Sequence, residues 1–380
     1  MFRKQNRIVC GANSYGQLSI GNTEDSVVPV RSSNVEGEIK QVTGGGGHTA
    51  IVTEEGKLYL CGNNNKGQLG LDSAVNLHLQ CLHLPSAISK VACGWEHTLA
   101  ITASGDLIAW GSNSHGQAGQ EVVSSSLPIK LKGFNGQPVC DIAAGLRHSL
   151  AVTIDGLVWS WGCGKKGQLG WMEAKKGLTY SHQPQQVPGC QKAHLVAAGA
   201  YHSIMLTVDG ELFCWGDNKR GQMAIEPCKD KGTFVLDRPR QLDLRPLESG
   251  HRIIAVASGW THVLILTDGG DIYSWGRNDY GQLGRSSVCH NPDGSPRGDI
   301  CWQIVKIVQL NNIKQIACGS EHNLAVTEDG VICSWGWNEH GMCGDGTTQD
   351  IPEPKTVPAL TGVRGHLIGS GAGHSVVVCR

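Results

Sequence analysis

Short apolar runs of strand length alternate with polar, glycine-rich turns along the whole chain, and no stretch shows a convincing helical period. The runs come in pairs around a tight turn. Ser203-Ile204-Met205-Leu206-Thr207 precedes Asp209-Gly210, and Leu212-Phe213-Cys214-Trp215 follows it. Asp-Gly and its relatives supply the positive φ angles of primed turns, so each pair reads as strand, turn, strand. The turn recurs at Glu55-Gly56, Ser104-Gly105, Asp155-Gly156, Gly269-Gly270 and Asp329-Gly330. A further apolar run, such as Ile313, Ile316 and Ala317, comes before each hairpin. Each period therefore predicts about four strands.

Two more landmarks keep the same phase. A box of the form W/C-G-x-N-x-x-G-Q-L-G begins at Cys10, Cys61, Trp110, Trp161, Trp215, Trp275 and Trp335. Its central glycine falls at Gly16, Gly67, Gly116, Gly167, Gly221, Gly281 and Gly341, a period of 49 to 60 residues. The other landmark is G-x-x-H, ending at His48, His97, His148, His202, His262, His322 and His374. Four antiparallel strands repeated seven times predict an all-β fold, a seven-bladed β-propeller, because one small sheet cannot bury both faces and ring closure can. The chain opens at the strand that should follow a hairpin turn, near Ile8-Val9-Cys10-Gly11. It finishes at the strand that should precede one, Val376-Val377-Val378-Cys379. The termini are expected to share one blade and so close the ring, with residues 1–380 forming a single propeller domain.

Composition narrows the function. Lys plus Arg is 32 against 33 for Asp plus Glu, so no bulk charge draws the chain to nucleic acid or an anionic bilayer. No apolar run is long enough to span or insert into a membrane, and the N-terminus lacks a signal-peptide pattern. The 15 cysteines are scattered and several replace the box tryptophan, so they read as reduced, packed thiols. That usage fits a cytoplasmic or nuclear setting. Cys289-His290 with Cys301 is the one loose zinc candidate, and neither metal nor cofactor is expected.

The chemistry-bearing residue types read mainly as structure. Each repeat histidine occupies one position per blade, with no carboxylate travelling alongside, which predicts that it ties its strand to a neighbouring backbone. The box glycines do not make a phosphate loop: Gly62 to Gly67 is followed by Gln68, not by Lys and Ser or Thr entering a helix. No catalytic triad or carboxylate pair stands out. The variable pair inside G-x-x-H is different. These loops open on one rim, and folding does not require Trp95, Glu96, Arg147, Tyr201, Trp260 or Glu321 there. Aromatic residues and arginine gathered on a rim have the composition of a protein-binding hot spot. The alternative is that Trp95 and Trp260 pack over the mouth of the channel.

The three landmarks, recurring seven times in phase from Val9 to Cys379, resemble the regulator-of-chromosome-condensation repeat family. That resemblance implies a seven-bladed propeller and guanine nucleotide exchange on a small GTPase. In the founding member, acidic and histidine side chains at the G-x-x-H pair face the GTPase. The positions that match here are Glu96 and Glu321, with Arg147 and Tyr201 between them. The acidic pair is not in neighbouring blades, and no histidine occupies the pair. The stretches Gly11 to Leu18, Thr43 to His48, Ala144 to Ser149 and Cys333 to Thr347 look like a secretion-linked branch of the family. This implies a cytosolic and nuclear protein, with an exocyst component as a further partner. A non-catalytic adaptor would use the same rim. Gly94-Trp95-Glu96-His97 and Gly259-Trp260-Thr261-His262 also resemble the motifs of a light-sensing propeller, but lack the arginine that holds its tryptophans.

Overall fold

The computed structural model describes residues 5–121, 124–171, 179–228, 232–248, 250–285 and 300–380. Seven four-stranded antiparallel sheets form the blades of a propeller. Blade 1 comprises Ile39–Gly44, His48–Thr53, Leu58–Asn63 and Val75–Leu82 from the channel outwards. Blades 2 to 6 repeat that order, starting at Ile88, Val139, Ala193, Ile253 and Ile313. Blade 7 joins Gly365–Ser370 and His374–Cys379 to Asn6–Gly11 and Ser26–Arg31. Its register runs from Asn6 opposite Cys379 to Gly11 opposite His374, so the expected closure by both ends of the chain is present. The only helical segments among the described residues are the short 3₁₀ turns Phe134–Gly136 and Pro358–Leu360.

The core lies between blades, as a ring of shared interfaces. The second strand is buried throughout in six blades, as in His202–Thr207, and as far as Val326 in blade 6, because a neighbour covers each of its faces. Ile204, Leu206 and Leu212 of blade 4 pack with Val263, Ile265, Tyr273 and Trp275 of blade 5. The five box tryptophans, Trp110, Trp161, Trp215, Trp275 and Trp335, are fully buried. Each indole N–H donates to the carbonyl of the box residue Gln68, Gln117, Gln168, Gln222 or Gln282 in the blade before it, at 2.9 to 3.1 Å. The indole is therefore an inter-blade bolt as well as core volume.

The repeat histidines form a second set of inter-blade ties. His148 Nε2 lies 2.9 Å from Ser203 Oγ of the next blade, and that hydroxyl donates to the Gln168 carbonyl at 2.8 Å. The same relay joins His48 to Thr98, His97 to Ser149, His322 to Ser375 and His374 to Thr49. Because the hydroxyl proton is committed to a carbonyl, the imidazole must donate from Nε2, which leaves Nδ1 as a bare acceptor. The tie is thus to a side chain, and only through it to the backbone that the sequence suggested. Two blades vary the theme. Val263 lacks a hydroxyl, and His202 meets Ser258 Oγ at 2.9 Å instead. Asn323 stands in for serine, taking His262 at 2.7 Å and donating to the Gln282 carbonyl at 2.8 Å. Replacing Ser203 with alanine strips His148 of its acceptor and should cost about 1–2 kcal/mol, seen as a lower urea midpoint with an unchanged m-value.

Cys301 is disulfide-bonded, which departs from the expectation of reduced thiols throughout. The other cysteines among the described residues, from Cys10 to Cys379, are free. Cys289-His290, and the Asn291 to Pro296 stretch of the long connection after Gly284, lie outside the described residues.

Candidate partner-binding rim

The rim is built by pinning two loops of each blade together. Gly111 of the box takes φ +100°, and a Cβ there would sit 2.6 Å from the Glu96 carbonyl oxygen and 2.8 Å from His97 Cα. Only glycine allows that approach. The next residue, Ser112, then donates its N–H to the Glu96 carbonyl at 2.8 Å. Equivalent bonds fix Arg147 through Cys163 N–H, Tyr201 through Asp217 N–H and Glu321 through Trp337 N–H. Gly94 is required for a different reason: the His97 ring lies where its side chain would be, 2.1 Å from an added Cβ.

The box holds itself rigid in the same way. Asn113 Oδ1 accepts the Ala118 N–H at 2.9 Å, and Gln117 Oε1 accepts the His115 N–H at 2.9 Å. The glutamine contact recurs at Tyr15, Lys66, Lys166, Arg220 and Tyr280. The six boxes that keep the glutamine therefore hold their variable side chains beside the G-x-x-H pair on a braced backbone.

The six rim residues of the sequence reading fall into three groups. Arg147 is exposed, and Glu96 and Tyr201 are half-buried. Among the described residues, none of these three side chains makes a hydrogen bond or ion pair. Trp95 of blade 2 and Trp260 of blade 5 meet across the channel, ring centroids 5.3 Å apart and planes inclined at 54°. Beneath them lies the channel itself, a cavity of about 260 Å³ lined by Gly45, Gly94, Gly145 and Gly199. The tryptophans therefore roof the channel mouth, while both remain partly exposed.

Glu321 is only 4% exposed. Its Oε1 accepts from Arg277 Nη1 at 3.3 Å and Thr261 Oγ1 at 3.2 Å, and its Oε2 from Gln282 Nε2 at 2.6 Å. His262 Nδ1 lies 3.7 Å from Oε2, too long for a hydrogen bond but within ion-pair range. Burial draws the His262 imidazole down, but Cys318 and Glu321 together outweigh it and push the value up to about 10. The other six repeat histidines have no such partner, and burial holds them at about 3 or 4. Glu321 is thus an internal counter-charge at the junction of blades 5 and 6, unlike Glu96.

Variable box positions add side chains that the sequence reading treated as scaffold. Tyr280 and Trp337 have ring centroids 6.2 Å apart, and Trp337 meets His340 edge-on at 5.6 Å. Arg277 stacks its guanidinium 5.0 Å from the Tyr280 centroid and pairs with Asp279. On blades 3 and 4 the rim is basic instead, carrying Arg147, Lys165, Lys166, Lys219 and Arg220. Burial, then Arg147 and Lys165, hold the His115 imidazole below its usual range. Burial raises the Asp217 carboxyl, with Lys166 and Lys219 close enough to oppose it. The signal was available in the sequence, since these positions change chemical type from copy to copy while the second and seventh positions of the box are glycine in all seven.

No helix among the described residues is long and apolar enough to cross a membrane. Residues 6–377 match the model of the RCC1-like domain family. Similar proteins include the secretion-regulating guanine nucleotide exchange factor of Bos taurus, 41% identical over 97% of this chain and 82% of that protein. The ultraviolet-B receptor UVR8 of Arabidopsis thaliana is 33% identical over 92% of this chain and 65% of that protein. Among solved structures, Prp20p of Saccharomyces cerevisiae superposes with a TM-score of 0.88 at 24% identity, covering 100% of this chain and 92% of that one.

Proposed function

We propose, because the chain belongs to the RCC1-like domain family, that it is a guanine nucleotide exchange factor that promotes release of nucleotide from a small GTPase. Relatives that bear this activity in their name match it along nearly its whole length. The observation on the molecule that carries the reading is the rim itself. Glu96, Arg147 and Tyr201 are offered without side-chain hydrogen-bond or ion-pair partners among the described residues, from a backbone fixed by inter-loop hydrogen bonds. A preordered surface of this kind loses little entropy on binding.

Exchange makes and breaks no covalent bond. The protein has only to bind the nucleotide-free GTPase better than the loaded form. Accelerating release about ten-thousand-fold requires roughly 5.5 kcal/mol of such preference. An interface of about 20–30 residues a side, with a few strong contacts, is enough. The polarised rim, basic on blades 3 and 4 and acidic and aromatic on blades 5 to 7, gives the partner one orientation. A cytoplasmic and nuclear location and an exocyst component as second partner follow the same family branch.

The test is release of fluorescent GDP from a panel of purified small GTPases. One member should show saturable acceleration by this protein. Binding without acceleration at saturating protein would make it an adaptor on the same rim.

A further inference from the structure

Above the indole roof, on the acidic side of the rim, lies a second cavity of about 310 Å³. Its lining includes Trp95, Trp260, Tyr280, Trp337 and His340, with the ion-paired Arg277 and Glu321 together in its wall. Such a volume is at the low end for a ligand site, about 300–1,000 Å³, and suits one side chain or a small head group. Of three carboxylates on this side, Glu321 lines the cavity, while Asp279 on Arg277 and Asp25, which lies 2.8 Å from His340 Nδ1, stand behind lining residues. Two cationic groups, Arg277 and the buried His262, oppose them.

Aromatic faces beside carboxylates attract a cation, and the hydrogen-bonding inventory decides which one. A guanidinium needs a carboxylate fork. Both Glu321 oxygens are already occupied, by Arg277 and Thr261 on one and Gln282 on the other, and Asp279 is engaged by Arg277. A bare ammonium loses its hydration on entering and finds the same acceptors taken. An N-methylated ammonium carries the charge without needing those bonds, and its methyl groups pack against indole and phenol rings. We infer that this cavity binds the N-methylated ammonium of a lysine side chain presented by the protein partner. The inference rests on the rim reading above, since it assigns a chemistry to one half of the same contact face.

The probe is Nα-acetyl-Nε-trimethyl-lysine methylamide, followed by indole fluorescence of the intact protein. The unmethylated lysine derivative, the neutral norleucine derivative and choline serve as comparisons. The trimethylated probe should bind saturably and about tenfold more tightly than norleucine, the product of a few cation–π contacts. Trp337→Ala and Tyr280→Ala, each checked for an unchanged melting temperature, should bring it down to the norleucine level. Absence of saturable binding overturns the inference. So does equal binding of norleucine or unmethylated lysine, and so does full affinity in both variants. Tighter binding of choline than of the trimethylated probe overturns the assignment to a side chain. Accelerated GDP release without probe binding sinks this inference alone. Probe binding with no release from any GTPase counts instead against the exchange reading.

Discussion

Mild acid should unfold the ring, with stability falling steeply as the pH drops below about 6.5. The cause is the six histidines at 48, 97, 148, 202, 322 and 374, which burial holds neutral down to about pH 3 or 4. In the unfolded chain each takes a proton near pH 6.5, so the unfolded state binds more protons throughout that window. A folded value lowered in this way means stability is complete above the unfolded value and is lost on acidification. Each histidine contributes about 1.4 kcal/mol per pH unit, and six give roughly 8 kcal/mol per unit as an upper bound. Against a total stability of about 5–15 kcal/mol, the midpoint should fall above pH 5. His262 has the opposite sign. Its raised value makes a contribution that is present below pH 6.5 and is lost as the pH rises through about 10, so it offers no relief in acid. Carboxylates held low, such as Asp243 at about 2, begin to matter only below about pH 4. Urea midpoints measured between pH 8 and the onset of acid unfolding give the proton uptake directly. A value near six fits the relay; no pH dependence above pH 5 would contradict it.

The same relay explains how much of the molecule was legible in the sequence. The sevenfold count, the hairpins and the shared closing blade could be read because each landmark meets a strict local demand. His97 leaves room only for glycine at 94, and the Glu96 carbonyl only for glycine at 111. Such demands recur once per blade, so they print a period. What a side chain does at a variable position depends on the next blade, and that is not periodic. Glu96 and Glu321 occupy the same place in their repeats and differ completely. Arg277, Thr261, Gln282 and His262 of the adjoining blade enclose Glu321, whereas no equivalent set reaches Glu96. The meeting of Trp95 with Trp260 is likewise a contact across the ring, between blades 2 and 5. The aromatic group of Tyr280 and Trp337 escaped notice because the box was read as scaffold throughout. Its glycine, asparagine and glutamine are scaffold; the residues between them are what it displays.

Joint replacement of Glu96, Arg147 and Tyr201 with alanine should reduce accelerated GDP release about a hundredfold or more, with no change in melting temperature. The size follows from interface hot spots, where truncating one buried tyrosine or arginine costs about 2 kcal/mol or more and the losses are not additive. The unchanged melting temperature follows from the structure, because none of the three side chains has an ion-pair or hydrogen-bonding partner among the described residues to leave behind. Glu321→Ala is the instructive contrast. It leaves the buried His262 imidazolium without its counter-charge, while Arg277 keeps only Asp279, so it should lower stability and confound any loss of exchange. Charge on the basic side also makes a kinetic statement. Removing Arg147 alone should act chiefly on the association rate and weaken its dependence on salt. If the triple variant exchanges nucleotide at the full rate, the contact face is not this rim. Attention would pass to the opposite one, where the hairpin turns leave Ile154 and Val208 exposed at 62% and 65%.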